Sequence, residues 1–131
     1  MTPEVLIDLA KQAMENAYAP YSGYKVGAAL LCADGTVFTG CNIENASFSP
    51  TICAERTAFA KAASEGQREF VAMAVCGGKD GVITGLFPPC GVCRQVMREF
   101  CREDFAVFLA DREGAYQTRT LAQLLPDSFS L

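Results

Sequence analysis

Histidine does not occur in the 131 residues. Any metal ion must therefore be held by thiolates or carboxylates, and any general acid or base must be Asp, Glu, Cys, Lys or Tyr. A basic excess is also missing. The chain has 15 acidic and 11 basic residues, a formal charge of -4, so it has no long-range field to gather a polyanion, and nucleic acid is not expected as a partner. No run of eighteen or more apolar residues occurs, and Met1-Thr2-Pro3-Glu4 lacks the basic start and apolar stretch of a signal peptide. A soluble, cytoplasmic protein with no membrane association is expected.

What is present is apolar residues and cysteine. Half of the chain is apolar and mean hydropathy is +0.16, which is rich for a chain of one-domain size and suggests that some apolar surface is covered by other subunits. One domain over residues 1–131 is expected. Seven cysteines are an odd number with no export signal, which favours ligands or core residues over a disulfide framework.

Local patterning predicts the order α-β-β-α-β-α-β, then a weak strand near Tyr116 and a short helix around Leu121 to Leu125. Thr2 can cap a first helix with Pro3 at its first position, and apolar residues at helical spacing carry that helix to about Ala17. Residues 18–24 read as a loop. Val26 to Cys32 and Val37 to Ile43 read as a hairpin across Ala33-Asp34-Gly35-Thr36. Cys53 to Glu65 and Cys90 to Phe100 read as helices, and Phe70 to Cys76 and Phe105 to Ala110 as continuous apolar strands. The expected fold class is α/β, a layered α/β/α domain around a mixed sheet.

Two spacings carry chemistry. Cys90 and Cys93 can present two sulfurs to one ion from the first turn of a helix, although a Cys-x-x-Cys pair alone also fits a redox dithiol or part of a structural zinc site. Cys53-Ala54-Glu55-Arg56 places a third thiol at another helix start, with a carboxylate two residues on. Partial positive charge at both helix starts favours thiolates, and Arg56 and Arg94 lie close enough in sequence to screen them. Three protein ligands leave a fourth tetrahedral position for water, the arrangement of a catalytic zinc site, with Glu55 as its proton carrier. A structural site would instead recruit a fourth cysteine such as Cys41 or Cys76. Cys32, Cys41, Cys76 and Cys101 otherwise read as small core hydrophobes.

Cys53-Ala54-Glu55 together with Pro89-Cys90-Gly91-Val92-Cys93 resembles the cytidine deaminase family in its small, three-cysteine form. The resemblance runs from Tyr18-Ala19-Pro20-Tyr21-Ser22 through Val26-Gly27-Ala28-Ala29 to Leu124-Leu125-Pro126. It implies a central sheet of about five strands and one zinc ion per subunit on Cys53, Cys90 and Cys93. It further implies attack of activated water at C4 of cytosine, with Glu55 shuttling protons and ammonia leaving. By the same resemblance, Gly40-Cys41-Asn42-Ile43-Glu44-Asn45-Ala46 is the nucleoside-binding strand end. Asn42 and Glu44 would hold ribose hydroxyls, Ala54 and Tyr24 would adjoin the substrate, and Arg56 would tune the thiolates. Also implied are a homotetramer with shared sites, Phe129 reaching another subunit's pyrimidine, and a role in pyrimidine salvage. Tyr24 stands where the family usually has Phe and Phe48 where Tyr is common, which bears on substrate preference; a modified nucleoside such as blasticidin is the alternative substrate.

Overall fold

The computed structural model describes residues 1–112 and 114–131. Helix α1 (Pro3–Met14) leads into β1 (Tyr24–Cys32) and β2 (Val37–Cys41), followed by α2 (Ala54–Ser64), β3 (Phe70–Lys79), α3 (Gly91–Phe100), β4 (Ala106–Arg112), β5 (Ala115–Thr120) and the short α4 (Leu121–Leu124). The strands form one sheet in the order β2-β1-β3-β4-β5. β3 and β4 run parallel, joined by the α3 crossover, and the other neighbours are antiparallel. The sheet is therefore mixed and five-stranded, as the sequence led one to expect.

One layer of helix covers each face. Leu6, Ile7, Ala10 and Met14 of α1 pack with Ala29, Ala72, Ala74 and Cys76 on one side. On the other side α2, α3 and α4 meet Ala28, Leu30, Met73, Val75, Val107 and Leu109. Phe59 of α2 anchors this second core, with its ring 5.2 Å from Phe70 and 6.1 Å from Phe100. Each such pair adds about 0.5–1.5 kcal/mol beyond the area it buries.

Local chemistry explains most boundaries and two departures from the sequence reading. The Thr2 hydroxyl accepts from the Val5 amide at 3.2 Å, starting α1 where expected. The helix ends at Met14, three residues before Ala17, because Asn16 and Ala17 close with three-residue bonds to Ala13 and Met14. That turn frees the Tyr18 amide to bond to the Asn42 carbonyl at 3.0 Å. β3 in turn runs on through Gly77, Gly78 and Lys79, which pair with Val26, Lys25 and Tyr24. Two consecutive glycines hide this extension from any side-chain pattern. In the β1–β2 turn Gly35 has φ +91, and Asp34 Oδ1 accepts from the Thr36 amide at 2.9 Å, so the Asp-Gly signal was read correctly.

Gly40 sets how closely α2 approaches the sheet. A Cβ there would lie 2.4 Å from the Ala54 carbonyl oxygen and 2.6 Å from the Ala58 amide. Its lack of a side chain lets the first turn of α2 rest on β2. Gly40→Ala is expected to lower stability by about 1–3 kcal/mol, as overpacking does, measured as a lower urea midpoint. An unchanged midpoint would mean that the helix can lift from the sheet at no cost.

Candidate metal centre and substrate cleft

The buried face of α2 contains a carboxylate. Ala54, Glu55, Ala58, Phe59 and Ala62 are its buried residues, and Glu55 and Phe59, one helical turn apart, share a face. Glu55 is only 4% exposed, and its Oε1 has no hydrogen-bond partner. Burial pushes its carboxyl up to about 7, with the nearby Cys53 adding to the rise. A buried carboxyl oxygen with no partner is expensive to keep, which leaves Oε1 ready for a partner from outside the chain.

Three sulfurs stand next to it. Cys53 is the N-cap of α2 and Cys90 the N-cap of α3, and neither side chain caps its own helix. Their Sγ atoms are 3.7 Å apart, Cys90 and Cys93 are 3.5 Å apart, and all three lie within 4.8 Å of one another. Thiolates at about 2.3 Å from a tetrahedral zinc ion are separated by about 3.7–3.8 Å. The donor set fits zinc in kind and in spacing. Among the described residues the group contains these three and no fourth Cys, Asp or Glu, so the fourth position is open and the closed structural alternative lacks its ligand.

Arg56 lies beside the sulfurs, with Nη2 donating to Cys53 Sγ at 3.6 Å. Cys53 is held below the usual thiol range by hydrogen bonds from Cys93, then from Arg56 and Cys90. Cys93, fully buried, is pushed up by its hydrogen bond to Cys53 and by burial. Arg94 does not join them. Its guanidinium donates to the Pro89 and Leu124 carbonyls, both at 2.6 Å, bracing the loop before Cys90 against α4 instead of screening sulfur.

Cys53, Ala54, Glu55 and Cys90 line a cleft of about 250 Å³, together with Asn42 and Glu44. Bridges from Ile43 to Tyr18 and Ile52 fix the segment after β2, so Asn42 and Glu44, two residues apart, present to one side. Asn42 Oδ1 accepts from the Val26 amide at 2.9 Å and its Nδ2 donates to the Tyr24 carbonyl at 2.8 Å. Glu44 Oε1 accepts from the Tyr21 and Ser22 amides, and its Oε2 from the Ser22 hydroxyl at 2.5 Å. These bonds, led by that from Ser22, keep the Glu44 carboxyl below its usual range. Asn42 retains one N–H and one lone pair, and Glu44 one acceptor site.

A model of the "Cytidine and deoxycytidylate deaminase zinc-binding region" matches residues 1–109. The chain belongs to this deaminase family. It is 51% identical to a cytidine deaminase of Sporosarcina psychrophila over 99% of this chain and 93% of that protein. The same identity and the same share of this chain relate it to the cytidine deaminase of Halalkalibacterium halodurans, of which 96% is covered. Among solved structures, cytidine deaminase from Burkholderia pseudomallei superposes with a TM-score of 0.91 at 49% identity, over 98% of this chain and 100% of that one.

Within this deaminase framework the remaining expected residues lie off the cleft lining. Tyr24 packs its ring 5.9 Å from Phe87, which does line it. Phe129 is 65% exposed and its carbonyl accepts from Gln95. Phe48, 84% exposed, borders an adjoining hollow of about 300 Å³ with Tyr21 and Asn45. Sequence reasoning missed Phe87, Val26, Thr51 and Ile52 as wall residues. Val26 and Ile52 look like ordinary strand and loop hydrophobes, and Phe87 lies in a Gly/Pro-rich stretch with no period. Of the other cysteines, Cys32, Cys76 and Cys101 are buried while Cys41 is only half-buried.

Cys90→Ser is expected to cut bound zinc from about one ion per chain to well under half, as loss of one of three protein ligands should. Cys41→Ser should leave it unchanged. Metal analysis of both purified variants checks this, and equal losses would mean that Cys41 is a ligand.

Proposed function

We propose that the protein hydrolytically deaminates cytidine and deoxycytidine to uridine and deoxyuridine, releasing ammonia. The observation that carries this is the buried Glu55 carboxyl, with Oε1 unpartnered, beside an open three-sulfur site, two of whose cysteines line a cleft of about 250 Å³. Zinc bound by Cys53, Cys90 and Cys93 supplies Lewis-acid activation of a water molecule near neutral pH.

The remaining work falls to the chain's own groups. Glu55 accepts a proton from the attacking water and delivers it to N3 as the oxygen adds to C4. It then takes the proton of the new C4 hydroxyl and passes it to the amino group, which leaves as ammonia while the C4 carbonyl forms. A carboxyl raised by burial is suited to both directions of proton transfer. Asn42 and Glu44 use their remaining donor and acceptors on the sugar hydroxyls, and Ala54 and Phe87, the latter backed by Tyr24, flank the base. The cleft lining contains no Lys or Arg, which favours an uncharged nucleoside over a nucleotide.

The same reading gives a single catalytic domain over residues 1–131, a cytoplasmic place in pyrimidine salvage, and a homotetramer with shared sites to which Phe129 contributes. Support for assembly comes from Tyr18, Tyr21, Phe48 and Phe129, all more than half exposed in the isolated chain. Among the described residues no helix is long and apolar enough to cross a membrane.

Deamination followed by ultraviolet absorbance on cytidine, deoxycytidine and cytidine monophosphate tests the proposal. Glu55→Ala should keep its zinc and lose about 10²–10⁴-fold in turnover, the usual contribution of a positioned acid/base group. An active Glu55→Ala enzyme would sink the assignment. Turnover of the monophosphate at the nucleoside rate would overturn the substrate preference.

A further inference from the structure

Lys79, the last residue of β3, contacts two residues that stand directly behind the cleft lining, Ser22 and Tyr24. Its Nζ donates to the Ser22 carbonyl at 2.8 Å. The same ammonium lies 5.1 Å from the centre of the Tyr24 ring, within cation–π range, and Tyr24 packs on Phe87 of the cleft wall. Ser22 is the residue whose amide and hydroxyl both hold the Glu44 carboxylate. One side chain thus reaches Glu44 through Ser22 and Phe87 through Tyr24.

The backbone is shaped to allow this reach. Gly23 has φ +75, and a Cβ there would lie 2.8 Å from Lys79 Nζ and 3.2 Å from its Cε, so glycine leaves room for the ammonium where the loop turns back. Beside it the Asp80 amide donates to the Gly23 carbonyl at 2.8 Å, with Asp80 itself at φ +54. Two successive residues of one strand end therefore clasp successive carbonyls of the Tyr21–Tyr24 loop. Glu44 has three of its four acceptor sites filled by Tyr21 and Ser22, so the direction of the remaining site follows the position of that loop.

We propose that Lys79 is a positioning residue for nucleoside binding, holding the Ser22 carbonyl, and through Ser22 the Glu44 carboxylate, in register with the sugar. The inference rests on the proposed role of Glu44 at the sugar hydroxyls. Lys79 touches neither the base nor the sulfur cluster, so its influence belongs in substrate affinity and not in the chemical step. Arginine, which can donate to the same carbonyl and stack on the same ring, should substitute in part.

The test compares Lys79→Met, which keeps the stem and removes the donor, with Lys79→Arg in zinc-loaded enzyme. For Lys79→Met the KM for cytidine should rise about three- to tenfold, the scale of one hydrogen bond, with kcat changed less than twofold and zinc content unchanged. The KM for 2′,3′-dideoxycytidine, which lacks both hydroxyls, should move little, and Lys79→Arg should recover part of the loss. Amide exchange followed by NMR should quicken at Tyr21 and Ser22 in Lys79→Met. Unchanged exchange with an unchanged cytidine KM overturns the proposal, and so does an equal KM rise on the dideoxy nucleoside. If the wild-type protein does not turn over cytidine, the functional reading fails, while the exchange measurement still decides whether Lys79 positions the loop.

Discussion

Everything at the site depends on two helix starts ending at one point. The Cys53 and Cys90 sulfurs, 3.7 Å apart, come from residues on either side of β3 in the chain, and a shift of about an ångström in either helix would separate them. The sheet order places β3 centrally, with β1 on one side and β4 on the other. The parallel β3–β4 crossover brings α3 back over the same face as α2. Gly40 beneath α2 and the Arg94 brace before α3 then fix how far each helix reaches. Close packing at these contacts gives the cluster its precision, since a packed interior yields little to small displacements.

The second half of the cleft is fixed by a different means. Asn42 and Glu44 are held by backbone amides and carbonyls of the 21–26 segment and by the Ser22 hydroxyl. These polar latches orient each group and leave a countable remainder of donors and acceptors. The sulfur end is fixed by helices packed on the sheet, and the Asn42–Glu44 end by hydrogen bonds.

The sequence made much of this legible, for identifiable reasons. Cys53, Glu55, Cys90 and Cys93 could be read because ligand chemistry restricts residue type and helix starts restrict position. The hairpin could be read from Asp34-Gly35, whose backbone demand is local. What escaped depended on distant partners. Arg94 looked like an electrostatic companion to the thiolates, yet two carbonyls claimed it. The end of β3 was hidden in glycines, and the cleft-wall role of Phe87 depends on a loop with no repeating pattern. Glu55 on the α2 core face is the position where local patterning conflicts with burial, and such conflicts concentrate at functional sites.

Cys53 and Cys90 cap their helices without a side-chain hydrogen bond to either one, and they lie 37 positions apart. An ion held between them acts as a staple across that span. A covalent cross-link closing a loop of this length would remove about 4 kcal/mol of chain entropy from the unfolded state, and a metal clip works in the same direction. The same cluster therefore doubles as a fastening, so zinc bound there would add to the stability of the folded chain.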